Sequence, residues 1–164
     1  MSIASIKSSI ALAAQREAID PFLLEAIVEV ESSFNELACR YETNVDKYVH
    51  NVEEHANNCG ISRITENQLQ KFSFGLGQIM GFKLREMGHT GSLLECLNPD
   101  VNLLYCARFL ASLLRKYGNE TQAIASYNAG SPRYLADGQL INSAYVSKVN
   151  SILKKKREGK NGTH

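Results

Sequence analysis

Val28-Glu29-Val30-Glu31-Ser32-Ser33-Phe34-Asn35 sets a carboxylate inside an apolar helical pattern. Counting back from Glu31, Val28, Ile27 and Leu24 fall three, four and seven residues away, so Glu31 continues the apolar stripe instead of the polar face. A carboxylate in apolar surroundings has its charged form disfavoured and its pKa pushed up, the condition a general acid needs near neutral pH. The same spacing also accommodates a helix-end glutamate that turns back to solvent or caps a neighbouring group.

On the N-terminal side of this stretch, Asp20-Pro21 supplies an N-cap and a first-turn proline, which predicts a helix from about residue 21 to residue 31 or 34. Glu31 then sits in its last turn, where the helix dipole also disfavours negative charge. Upstream, Ile3, Ile6, Ile10, Ala13 or Ala14, and Ala18 predict a helix over 3–18. Asn98-Pro99 repeats the cap arrangement and opens the strongest helix. Its stripe is Leu103, Ala107, Leu110 and Leu114, widened by Leu104 and Ala111 and closed by Gly118. Thr121 is the expected cap of a short helix carrying Ala123, Ile124 and Tyr127, whose inward ring needs a hydrogen-bond partner for its hydroxyl. A last helix is predicted over 143–155. The basic run Lys154-Lys155-Lys156-Arg157 begins a tail, 154–164, expected to be flexible and solvated.

Between Arg40 and Phe72 the periodicity fades. Residues 41–72 read as an insertion or lid, with Thr65 and Gln68 as a capping box and room for a small β-hairpin inside 41–63. His50, His55 and Cys59 match no standard metal spacing. Next, Ser73-Phe74-Gly75-Leu76-Gly77-Gln78-Ile79-Met80-Gly81 carries glycines dense enough for close backbone approach to another segment or to a ligand. No useful length alternates with a period of two. The expectation is one mainly α domain over 1–164, with its core at about 20–153.

At 164 residues and 44% hydrophobic content, one core is large enough to stand without metal or disulfide help. A net charge of +1 gives no general pull toward nucleic acid, and no run approaches a membrane span. Four cysteines lie scattered without CxxC spacing, which favours free thiols. The start, Met1-Ser2-Ile3-Ala4-Ser5-Ile6-Lys7, is broken by polar residues and does not read as a signal peptide, so action outside the cytoplasm would need another route.

Three separated pieces occur in a telling order: Glu31-Ser32-Ser33-Phe34-Asn35, Gly75-Leu76-Gly77-Gln78-Ile79-Met80 and Ala125-Ser126-Tyr127-Asn128-Ala129-Gly130. With Asn98-Pro99-Asp100-x-Asn102 between the second and third, the chain resembles, over about 20–150, the soluble-type lytic transglycosylase domain, related to goose-type lysozymes. The resemblance implies a lysozyme-like, mainly α domain with a groove. It puts the catalytic acid on Glu31 and Tyr127 near that carboxyl, with Ser32, Gln78, Met80 and Asn128 along the glycan groove. No cofactor or metal is implied. Arg40-Tyr41-Glu42 fits an element of resembling domains from phage particles and gives Glu42 a place on a groove wall. Gly77 stands where the family usually has Met, which would widen the pocket.

The implied activity is cleavage of the β-1,4 bond between N-acetylmuramic acid and N-acetylglucosamine in peptidoglycan, leaving anhydromuramoyl ends. A lysozyme-like hydrolase would instead need a second carboxylate, from Glu42, Asp46, Glu53 or Glu54. A third reading is a catalytically silent glycan-binding module of a phage tail or a secretion apparatus. The expected partner is the glycan strand. The route to the wall, in a phage particle, at lysis or by specialised secretion, stays open.

Overall fold

In the computed structural model, which describes residues 1–161, eight α-helices enclose one core and a small sheet flanks them. Helix α1 (Ile3–Arg16) starts at Ser2, whose hydroxyl accepts the Ser5 N–H. Helix α2 (Pro21–Ser32) starts at Asp20, whose carboxylate accepts the Phe22 N–H at 2.8 Å. Two successive left-handed residues, Ser33 and Phe34, then stop α2 abruptly. Glu31 is thereby left at the end of a rigid element.

Helix α6 (Pro99–Tyr117) runs through the middle, capped by Asn98 and closed by left-handed Gly118. Leu103, Cys106, Ala107 and Leu110 are completely buried there, and Leu113 takes the inward place expected of Leu114. Against α6 pack α1, through Ile6 and Ile10, and α7 (Glu120–Ala129), through Ala123 and Ile124. Helix α8 (Ser143–Asn161) lies along α2, joining Val149 and Leu153 to Leu24, Ile27 and Val28. Burying this many aliphatic side chains, at about 1.5–3 kcal/mol each, is what holds the helices at fixed angles.

Strands β1 (Cys39–Tyr41), β2 (Phe72–Phe74) and β3 (Ile79–Met80) form an antiparallel sheet in that order. Cys39 pairs with Phe74 and Tyr41 with Phe72, while Phe74 pairs with Ile79. The strands therefore bracket the segment in which a hairpin was expected, and 41–63 contains none. Three residues per strand are too few to show a period of two.

The segment expected to be irregular is also ordered. It holds a 3₁₀ turn at Asp46–Tyr48, helix α3 (Val52–Cys59) and helix α4 (Arg63–Leu69). Ser62, not Thr65, caps α4: its hydroxyl accepts the Thr65 N–H at 3.0 Å. Likewise Asn119, not Thr121, caps α7 by accepting the Gln122 N–H. In each case a stronger or equal cap stood two or three residues upstream. Helix α5 (Gly81–Glu86) anchors the insertion. Arg85 forks onto both oxygens of Glu66 at 2.8 Å, both side chains fully buried, and donates to the carbonyls of His89 and Gly91.

The basic tail differs most from expectation. Helix α8 continues through it, Lys156 pairs with Glu25 and Glu29, and Arg157 joins Asp20 to Glu120. These carboxylates come from α2 and its cap and from α7, so local sequence gives no hint of them. The last three positions of that tail lie outside the described residues. Among the described residues no helix is long and apolar enough to cross a membrane.

Candidate active site

A groove of about 600 Å³ opens between the helices and the sheet, and Glu31, Glu42, Gln78, Met80, Tyr127 and Asn128 all line it. Ser32 does not. Its hydroxyl turns back to donate to the Val28 carbonyl within α2.

Glu31 is half-buried at the C-terminal end of α2. Burial pushes its carboxyl above the usual range. A hydrogen bond from the Tyr145 hydroxyl and the charges of Arg40 and Lys148 oppose that shift without cancelling it. The Tyr145 bond is short, 2.6 Å from Oη to Oε1. Burial and the nearby Glu31 charge push the Tyr145 phenol far up, so it stays a donor.

The hydroxyl expected beside Glu31 was that of Tyr127; the hydrogen bond to Glu31 comes from Tyr145, while Tyr127 lines the same groove and feels the Glu31 charge, which adds to burial in pushing its phenol up. The Tyr127 hydroxyl instead donates to the Gly77 carbonyl at 3.0 Å. Its ring is in the groove wall, tilted against Phe109. Tyr145 had a readable signal: with Val149, Ile152 and Leu153 it continues one apolar face of α8.

The Gly75–Gln78 turn is built around one buried amide. Asn102 of α6 accepts the Gly77 N–H at 2.9 Å and donates to the carbonyls of Phe74 and Cys96. Gly75 is left-handed, and a Cβ there would lie 2.6 Å from the Asn102 amide nitrogen. At Gly77 a Cβ would lie 2.0 Å from the Cys106 sulfur and 2.7 Å from the Tyr127 hydroxyl. Gly77 therefore does not widen the pocket, because Cys106 and Tyr127 already fill the space. The Cys106 thiol donates to Asn102, and burial pushes its pKa up to about 12, so it stays protonated and acts as a packing group.

Gln78, itself left-handed, spends its amide on the scaffold. It donates to the carbonyls of Ala38 and Gly75 and accepts from the Ser73 hydroxyl. That ties β1 to the turn and holds the groove floor. Met80 stands just before α5, and exposed Asn128 accepts from the Asn142 amide at the rim.

Of the insertion carboxylates, only Glu42 reaches the groove, paired with Arg40 at 2.5 Å. Asp46 pairs with Lys71, and Glu53 pairs with Arg63, away from it. His50 and His55 place their rings 6.3 Å apart, edge to face. Among the described residues no three His, Cys, Asp or Glu side chains are arranged to hold a metal ion.

A helical core, a small antiparallel sheet and a groove between them with one partly buried glutamate at a helix end define a lysozyme-like domain. The chain belongs to the transglycosylase SLT domain family, whose model matches residues 8–140. Among curated proteins it is similar to Protein IpgF of Shigella sonnei and of Shigella flexneri, 30% identical over 121 residues in each case. The matched segment is 72% of this chain and 62% of each relative, so the chain spans under two thirds of their length. Tyr145 lies beyond the stretch matched by the family model.

Proposed function

We propose that the chain is a peptidoglycan lytic transglycosylase with Glu31 as its acid and base. The observation that carries this reading is the Glu31 carboxyl itself: partly buried, raised in pKa by that burial, bonded to the Tyr145 hydroxyl, and lining a groove of about 600 Å³. Protonated Glu31 donates to the oxygen linking N-acetylmuramic acid to N-acetylglucosamine, and the bond from that oxygen to the muramoyl C1 breaks. Charge developing at C1 is met by the substrate's own acetamido oxygen. Glu31, now a carboxylate, takes the proton from the muramoyl C6 hydroxyl as its oxygen closes onto C1. Atoms balance without water: the leaving sugar gains the acid's proton, and the acid regains one from O6.

Tyr145 acts by holding Glu31. Its bond favours the carboxylate, so it steadies the acid after proton donation and keeps one oxygen fixed for the return step. Gln78, Met80 and Asn128 form the floor and rim along which sugars lie, while Tyr127 supports the turn behind them. A hydrolytic course would need Glu42 to activate water, and its presence in the same groove is what favours that second reading. Mass analysis of purified sacculi digested by the protein decides between them. Anhydromuramoyl products support transglycosylation, whereas products heavier by one water assign hydrolysis. Intact sacculi would refute both.

A further inference from the structure

Tyr48 of the insertion and Phe82 of α5 form an aromatic pair in the wall of the groove. Tyr48, from the 3₁₀ turn, stacks on Phe82 at the start of α5, with ring centroids 5.0 Å apart and planes inclined by 20°. Both rings line the groove that holds Glu31, yet Tyr48 remains 46% exposed. An exposed stacked tyrosine costs apolar surface in water, and the hydrophobic core does not require it.

The scaffold beneath the pair is built around Gln70, which is fully buried. Its side chain accepts the His50 N–H at 3.0 Å and donates to the His50 carbonyl at 2.9 Å, fixing the backbone two residues past Tyr48. Its own carbonyl accepts the Phe82 N–H at 2.9 Å. The same amide donates to Glu66, the partner of Arg85, so one network connects Tyr48 through α4 to α5. Gly81 permits this closeness, since a Cβ there would lie 2.3 Å from the Leu69 carbonyl oxygen. Asp46, two residues before Tyr48, is held by Lys71 at 2.5 Å.

Resting on the glycan-cleaving reading above, we infer that Tyr48, from the insertion, and Phe82, from α5, form a sugar-stacking subsite for an N-acetylhexosamine ring of the strand. Such a ring has one face of C–H bonds and an equatorial rim of polar groups. Laid on an aromatic ring, it buries the apolar face and leaves the rim in water. Val45 extends the apolar wall beside it. The Lys47 ammonium stands 5.0 Å from the Tyr48 ring centre and has no carboxylate partner among the described residues, so an arriving sugar displaces only a weak surface contact. The insertion is thus a wall that binds.

The test uses chitohexaose and the full chain carrying Glu31→Gln, so that binding is read without turnover. Adding Tyr48→Ala is expected to weaken binding by about 5- to 30-fold in calorimetry, the range of one well-formed apolar contact. Adding Tyr48→Phe, which keeps the ring, restores binding to near the parent value. In the active chain Tyr48→Ala raises KM for sacculi far more than it lowers kcat. Equal chitohexaose affinity with and without the Tyr48 ring, or no binding to the parent, overturns the subsite. Intact sacculi with ring-dependent chitohexaose binding would instead refute the proposed activity and leave the subsite standing.

Discussion

Gly77→Ala is the sharpest probe of the turn that shapes the groove. The new methyl carbon would fall 2.0 Å from the Cys106 sulfur, 2.7 Å from the Tyr127 hydroxyl oxygen and 3.2 Å from the Cys106 Cβ. Two of these separations are well inside contact distance, and both neighbours belong to helices packed in the core, so the cost belongs near the upper end of overpacking, about 3 kcal/mol. Cys106→Ala alone removes one fully buried sulfur and its bond to Asn102, for about 1–2 kcal/mol. In the double variant the worst overlap is gone. The pair should then be less destabilised than the sum of its parts by about 1–2 kcal/mol. Urea and thermal unfolding of the four proteins measure the cycle. The single Gly77 variant should melt lower by roughly 6–12 °C, at about 2–4 °C per kcal/mol for a domain near this size. Additivity to within about 0.5 kcal/mol would refute the claim that Cys106 occupies the space facing Gly77.

Tyr145→Phe removes a hydrogen bond to the charged form of Glu31, so the Glu31 carboxyl moves still higher. The limb of the pH–rate profile set by Glu31 ionisation should shift to higher pH, and kcat should fall by about 10-fold or more, the worth of a bond to a charged group. Glu66→Gln leaves the buried Arg85 guanidinium without its counter-charge and should cost about 3–5 kcal/mol, read as a lowered melting temperature and faster proteolysis within 41–72. Glu31→Gln should stabilise the fold at neutral pH. Because the Glu31 pKa is higher folded than its ordinary 4.5, the stability linked to its proton is fully present below 4.5 and lost as pH rises through the folded value. A neutral Gln suffers no such loss, so its advantage in melting temperature should disappear in acid.

Much of this architecture was legible where cause and effect are close in sequence. Asp20-Pro21 and Asn98-Pro99 begin their helices, Gly118 ends one, and the carboxyl of Glu31 keeps to the apolar side of α2. Partnerships set by the tertiary fold were hidden. Tyr145 meets Glu31 across 114 positions, and Lys156 and Arg157 find carboxylates at the far end of the chain. Segment 41–72 looked patternless because its order rests on Glu66, Gln70 and Arg85, polar residues that a hydrophobic period does not register. At Gly77 the sequence alone suggested open space, since the sulfur that fills it comes from Cys106 on another helix.

Whether the Glu31 carboxyl performs the cleavage is read from muropeptide release from purified sacculi by the native chain and by Glu31→Gln, with circular dichroism and melting temperature measured on the same samples. Anhydromuropeptides are expected from the native protein and none above background from a variant at least as stable. Undiminished release by folded Glu31→Gln would rule out Glu31 as the acid.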